Sequence, residues 1–546
     1  MRGRTPMKVA VGTAVIAMFA AGCTQAPETP TTTDAGGELR IYASEPAFLV
    51  PTAADDDPSI QVIRQVYRGL VKYNPETGAA ENDLAESITS TDNTVWTIKL
   101  KSGYTFTNGE AVNSDAFIRA WNYAAYGPNA QNNSYFMGRI AGIEDMSSTD
   151  PDGEDGPQTA PEPAAKELSG LKKVDDSTFT VTLSAPFSGF PATVGYSGFF
   201  PVAEACLADF DACNEAPIGN GPYKIEGSWQ HNVGITLVRN DAYAGADKGK
   251  ADKLSYKIYA DVDAGYAAFQ SGEVDVMYTI PPARYQEAKS DLGERMFEKP
   301  GNSFTYLGFP MYNSAFANKQ LRQAFSQAID RQAIIDAVFN GRFTPATGIV
   351  SPLFDGYRPN VCDFCKYDVN AAKAALAAAG GWPAGQKLQL WANAGAGHDA
   401  WLKAVGDQLK ANLGIDYELV VNLEFPAYLE TAGNQGFTGP FRLGWGPDYP
   451  VVETYLAPLY GTGGSSNNSG YSNPAFDNLI KQGDGAKTTA EGIQFYNQAE
   501  DIIVEDLPVI PMWFSKVTAI HGESVDKFVY NNISGVSYGE ITLKKA

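Results

Sequence analysis

At 546 residues, 44% apolar and 12% aromatic, the chain is long enough for two or three packed domains and too apolar to be disordered. Its net charge of −22, from 63 acidic against 41 basic side chains, repels nucleic acid and anionic lipid and excludes both as partners. Three of the basic residues, Arg2, Arg4 and Lys8, lie at the very start, so everything after them is more acidic still.

Those three cations precede Val9 to Ala21, an uncharged apolar run too short to span a bilayer as a mature helix. The run closes on Ala20-Ala21-Gly22-Cys23, small residues directly before a cysteine. Residues 1–22 are expected to be a lipoprotein signal peptide and Cys23 the lipidated residue, with ordinary secretion and an incidental Cys23 as the alternative. No later stretch approaches the roughly 18 apolar residues of a membrane helix. Residues 23–37 (CTQAPETPTTTDAGG) can build no core and are expected to be a flexible tether.

Leu39 to Ala43 alternates as a first strand, and Val95 to Lys101 alternates as another. A turn at Thr107-Asn108-Gly109 then precedes a helix over Asp115 to Ala125. Residues 150–165 form an acidic, Pro/Gly-rich loop. Leu321, Ala324, Phe325, Ala328 and Ile329 follow helical spacing, with a stop at Asn340-Gly341. From 387 to 446 the pattern is strand (Lys387 to Trp391), helix (Ala400 to Leu413), strand (Tyr417 to Leu423), short helix (Pro426 to Ala432), strand (Phe441 to Trp445). Strands separated by single helices predict parallel pairing and an α/β class.

Four cysteines remain beside Cys23, as the close pairs Cys206/Cys213 and Cys362/Cys365. Outside the cell, even-numbered close pairs predict two local disulfides. For the Cys-x-x-Cys pair the rival readings are a redox site and zinc, which lacks a nearby His; haem attachment is out because residue 366 is Lys.

The usual signals of catalysis are missing. There is no Gly-x-Ser-x-Gly or His-Glu-x-x-His, and the three histidines, His231, His398 and His521, are widely spaced. Gly245 to Lys250 is one residue short of a phosphate-binding loop and is followed by Ala251 where Ser or Thr is needed. No cofactor, metal or catalytic residue is expected.

A series of segments instead carries a resemblance. Leu84 to Ser87, Trp96 to Lys101, Phe106 to Val112 with Asp115, Ile140 to Ile143, Pro217 to Tyr223 and Leu237 to Asn240 stand in order along the chain. Gln270 to Asp275, Leu321 to Arg331, Tyr471 to Asp477 and Glu505 to Pro511 continue it. Together they resemble the family 5 extracellular solute-binding proteins, the oligopeptide- and dipeptide-binding subunits of ABC importers, over nearly the whole chain after the signal. The resemblance implies an α/β two-lobed periplasmic-binding-protein-like clamp of the class II type, with an extra subdomain in lobe I. Lobe I is then expected over 38–303 with a return over 515–546, its extra subdomain over about 65–200, and lobe II over 310–508. The two crossings fall near Phe304 to Phe309 and Val509 to Phe514.

The ligand site is expected around Gly444-Trp445-Gly446-Pro447-Asp448-Tyr449. Gly446 and Pro447 break the strand at its carboxyl end, where ligands of open α/β sheets bind. An acceptor-only carboxylate beside aromatic rings suits a cationic head group. In the family, the aspartate of a similar segment holds the peptide's α-ammonium, a role that falls here on Asp448; capping of the next helix is the alternative. Glu45 matches a pocket glutamate of peptide binders, or a plain turn residue, and Tyr135 a tyrosine set against the peptide, or a core tyrosine.

The reading is therefore a monomeric extracytoplasmic binding protein, anchored through Cys23, that captures peptides and delivers them to an ABC permease. The alternatives are the same fold holding an oligosaccharide or a metal or haem complex and, from another class, a secreted hydrolase.

Overall fold

The computed structural model describes residues 36–149 and 159–545. The expected signal peptide, Cys23, nearly all of the tether and most of the acidic loop lie outside them.

Among the described residues, one mixed sheet of eleven strands dominates. At one end Glu38–Ala43 lies parallel to Lys253–Ile258, which continues antiparallel to Gly234–Arg239 and then Tyr223–Ile225. At the other end Leu388–Asn393 lies parallel to Tyr417–Leu423 and to Phe441–Trp445, the arrangement expected from their helical connections. Two strands of 13 residues, Met296–Gly308 and Val509–His521, join the halves by pairing antiparallel along their length. The second carries Val276–Met277 at its far end, while the first carries Phe441–Trp445 at its own. The register between the long strands is interrupted from Pro300 to Phe304, just before the expected crossing. Gly301 sits in that interruption so close to Ser515 that a Cβ there would force the serine side chain to move.

Each half has its own apolar core, Leu39, Ile41, Leu237 and Leu254 in one and Leu307, Phe325, Leu390 and Trp401 in the other. A separate four-stranded antiparallel sheet, Ala85–Thr89, Val95–Leu100, Thr178–Thr182 and Leu171–Asp175, packs Trp96 and Phe179 beside the helix Ser114–Ala125. It gives the early block its distinct texture. The fold is the two-lobed clamp with an added subdomain.

Most expected elements form at the expected places. The helix read over Leu321 to Ile329 does not run on to Asn340. It ends at Gln327, and a second helix, Arg331–Phe339, starts after Asp330, whose side chain accepts from the Ala333 N–H at 3.0 Å. A local cap outcompetes continuous periodicity there. Asn340 and Gly341, both at positive φ, then end the second helix. Both cysteine pairs are disulfides, with Cα–Cα separations of 5.0 Å for Cys206–Cys213 and 5.3 Å for Cys362–Cys365.

Candidate functional site

The strand Phe441–Trp445 pairs with Met296–Gly308 along one edge over its whole length. Along its other edge it meets Leu388–Asn393 at Phe441 only. Backbone groups of Leu443, Gly444 and Trp445 on that side thus have no strand partner among the described residues. Gly444 and Gly446 are exposed and put no side chain of their own over this edge.

Two cavities of about 390 Å³ each adjoin here and share Ser303 and Gly446 in their walls. The first holds Asp448 with Asp55, Asp57, Arg64 and Tyr196, three carboxylates against one guanidinium. Asp55 and Asp57 flank Asp56, which caps the helix Asp57–Val66 by accepting from the Ser59 N–H at 3.0 Å. That helix therefore delivers two carboxylates to the cavity at its start and Arg64 two turns later. Burial pushes the Asp448 carboxyl up to about 7, with the Tyr135 hydroxyl pulling the other way. Burial also raises the Tyr196 hydroxyl, which stays a protonated donor.

The second cavity has the opposite character. Arg442 lines it together with Trp445, Phe425 and Leu429, and no carboxylate does. The Arg442 Nε and the Trp445 Nε1 are buried without a hydrogen-bond partner, and no ion pair to Arg442 forms among the described residues. Its nearest polar contact is a long one, 3.4 Å from Nη1 to the Asn393 Oδ1. A buried guanidinium lacking an anion is unfavourable on its own and poised to take one.

The structure brings Asp448, Trp445, Gly444, Gly446 and Tyr135 to this cleft. Tyr135 is 59% exposed and belongs to no core. Asp448 caps nothing: the next helical turn, Val452–Tyr455, begins at Val451 without a side-chain cap. Tyr449 points inward, donating to Glu453 at 3.0 Å in a buried network with Arg139 and Asp484. Glu45 lines neither cavity. Its carboxylate accepts from the Asn232 N–H at 2.9 Å and pairs with His231 at 2.9 Å, and His231 also reaches Glu215 at 3.0 Å. The neighbouring carboxylates of Glu215 and Glu45 raise the His231 ring above its ordinary value. Among the described residues no cluster of His, Cys, Asp or Glu suits a metal ion.

Sequence reading missed Asp55, Asp57, Arg64, Tyr196 and Arg442. The one local signal was an arginine inside the otherwise apolar strand Phe441–Trp445, with no acidic residue beside it.

Residues 79–467 match the model of the bacterial extracellular solute-binding proteins, family 5. The oligopeptide-binding protein OppA of Bacillus subtilis is 27% identical over 501 residues, covering 88% of each chain. The dipeptide-binding protein DppE of the same organism is 28% identical over 529 residues, 93% of this chain and 92% of that one. The solved Escherichia coli murein tripeptide binding protein MppA superposes with a TM-score of 0.75 at 25% identity, covering 94% of this chain and 99% of that one. With its clamp, its cleft and a family match over most of its length, the chain belongs to the family 5 bacterial extracellular solute-binding proteins, a family of substrate-binding proteins and not of enzymes.

Proposed function

We propose that this solute-binding protein captures short free peptides in the cleft and hands them to an ABC import permease. The observation that carries the reading is the opposite charge of the two adjoining cavities. An α-ammonium fits beside Asp448, Asp55 and Asp57, and an α-carboxylate fits Arg442. Between them the open edge of Leu443 to Trp445 offers main-chain groups to an extended ligand, which adds affinity without demanding particular side chains. Relatives named for oligopeptides and dipeptides agree with this reading.

The boundaries of the lobes follow from the same picture. The pivot belongs at the interrupted register between Pro300 and Phe304 and at Ser515 opposite, with lobe I over 38–303 and 515–546 and lobe II over 310–508. Opening about that pivot separates Tyr135 and Tyr196 on one side from Asp448 on the other. One chain supplies every wall, so a monomer suffices.

Calorimetry with a free tripeptide and with an oligosaccharide tests the ligand class. Binding of the tripeptide is expected, and its pH dependence follows from Asp448. A carboxyl near 7 in the empty cleft must lose its proton to pair with an ammonium, while the α-ammonium stays charged below about 7.7. Affinity is therefore highest near pH 7.5 and falls roughly fifteenfold to twentyfold by pH 5.5. Binding of the oligosaccharide alone sinks the peptide reading, and an affinity flat across that range removes Asp448 from it.

The lipid anchor on Cys23 completes the proposal: a tethered binding protein stays near its permease while sampling the space above. Cys23→Ser is expected to release the protein into the medium with its peptide affinity intact. A variant that stays as firmly membrane-bound as the parent overturns the anchor.

A further inference from the structure

We infer that the cleft selects for an apolar side chain on the last residue of its peptide. This rests on the proposed peptide reading and adds a preference to it. The helix Phe425–Gly433 stands beside the Arg442 cavity and turns Phe425 and Leu429, one turn apart, into its wall. They are 45% and 43% exposed, among the few large apolar side chains of the described residues left so open. Other apolar residues of that helix are not spent this way: Tyr428 and Ala432, on the adjoining strip of the same side, are buried.

The chamber thus combines a guanidinium without an anion and an uncovered aliphatic–aromatic wall. Charge complementarity assigns the guanidinium to a carboxylate, and at a peptide's end that carboxylate shares its Cα with one side chain. A group held at Arg442 therefore carries that side chain against Phe425, Leu429 and the Trp445 ring. An apolar side chain covers them and leaves water; glycine leaves them wet. In the first cavity the aliphatic residues Ile60, Val517, Ile533 and Val536 stand among three carboxylates and three tyrosines, Tyr196, Tyr278 and Tyr530. Tolerance along most of the peptide and choice at its carboxyl end follow from the two linings.

The test is calorimetry at pH 7.5 with free tri- and tetrapeptide pairs that differ only in ending in Leu or Gly. Wild type is expected to bind the Leu-ended member roughly tenfold to a hundredfold more tightly, the worth of covering one such side chain. In the double variant Phe425→Ser, Leu429→Ser the ratio is expected to fall below about threefold. The penalty for acetylating the peptide's N-terminus should persist in that variant and show its site intact. Each single variant should give an intermediate ratio. A ratio near one in wild type, or a ratio untouched by the double variant, overturns the inference while leaving peptide capture standing. Binding of none of these peptides overturns both.

Discussion

Asp448→Ala is expected to bind free peptides about thirtyfold to several thousandfold more weakly, the loss of 2–5 kcal/mol typical when one partner of a buried charge pair is removed. Most of that loss is the cost of leaving an ammonium in a cleft whose charge partner is gone. Asp55 and Asp57 remain in the cavity wall and hold the loss toward the lower part of the range. Wild type should discriminate against the same peptides acetylated at the N-terminus by a similar factor. The two losses should not add, because each removes one half of one interaction. Calorimetry on two proteins and two peptides reads the cycle. Equal affinity of wild type for free and acetylated peptides would falsify the role of Asp448.

Removal of the Arg139 guanidinium is the second change of large expected effect, and it acts on stability. Arg139 reaches the Glu453 carboxylate at 2.7 Å and the Asp484 carboxylate at 3.1 Å, and its guanidinium lies 4.0 Å from the centre of the Phe187 ring. Glu453 is only 1% exposed, and Tyr449 and Tyr496 donate to the two carboxylates at 3.0 and 2.7 Å. Burial pushes both carboxyls up, and Arg139 opposes it. Arg139→Ala leaves two inward carboxylates with hydroxyl partners alone. A loss of about 2–4 kcal/mol is expected, below the full cost of a broken buried pair because the Arg139 side chain is itself 35% exposed. The loss should shrink as pH falls toward 5, because protonation of Glu453 and Asp484 relieves the unpaired charge. The triple variant Arg139→Met, Glu453→Gln, Asp484→Asn should recover part of it. Urea denaturation at pH 7.5 and pH 5 checks all three; a loss under 0.5 kcal/mol at pH 7.5 would show the network to be dispensable.

The contact joins elements far apart in sequence. Arg139 ends the turn Asn132–Arg139, whereas Glu453 and Asp484 belong to the segment beyond the cleft strand. Two hydrogen bonds run alongside, the Ser188 backbone N–H to the Asp484 carbonyl at 2.8 Å and the Asn93 side-chain amide to the Ala486 carbonyl at 2.6 Å. Tyr449 stands next to Asp448 in the chain, so the proposed ligand contact and this network share one short segment.

Local pattern made the run from Leu388 to Trp445 legible, since each of its strands and helices declares itself within a dozen residues. The full reach of the two long strands was hidden. Lys299, Pro300 and Gly301 interrupt the alternation of the first, and only pairing with a distant partner keeps it extended. The same division holds for the cleft. Trp445 and Asp448 could be found because one strand end and one break place them together. Asp55, Arg64, Tyr196 and Arg442 could not, because their meeting is a property of tertiary packing. Glu45 shows the converse: its place beside a strand end gave no sign of His231, nearly two hundred residues away, which holds it.

The antiparallel pairing of Met296–Gly308 with Val509–His521 also fixes an order of events. Val276–Met277, inside the sheet of the first half, has Glu38–Ala43 on one side and Ile520 and His521 on the other. Until those last residues emerge from the ribosome, that sheet has a raw edge, and the intervening two hundred residues form a loop whose closure must be met before the pairing rewards it. The sheet of the first half is therefore complete only once Val509–His521 has joined it.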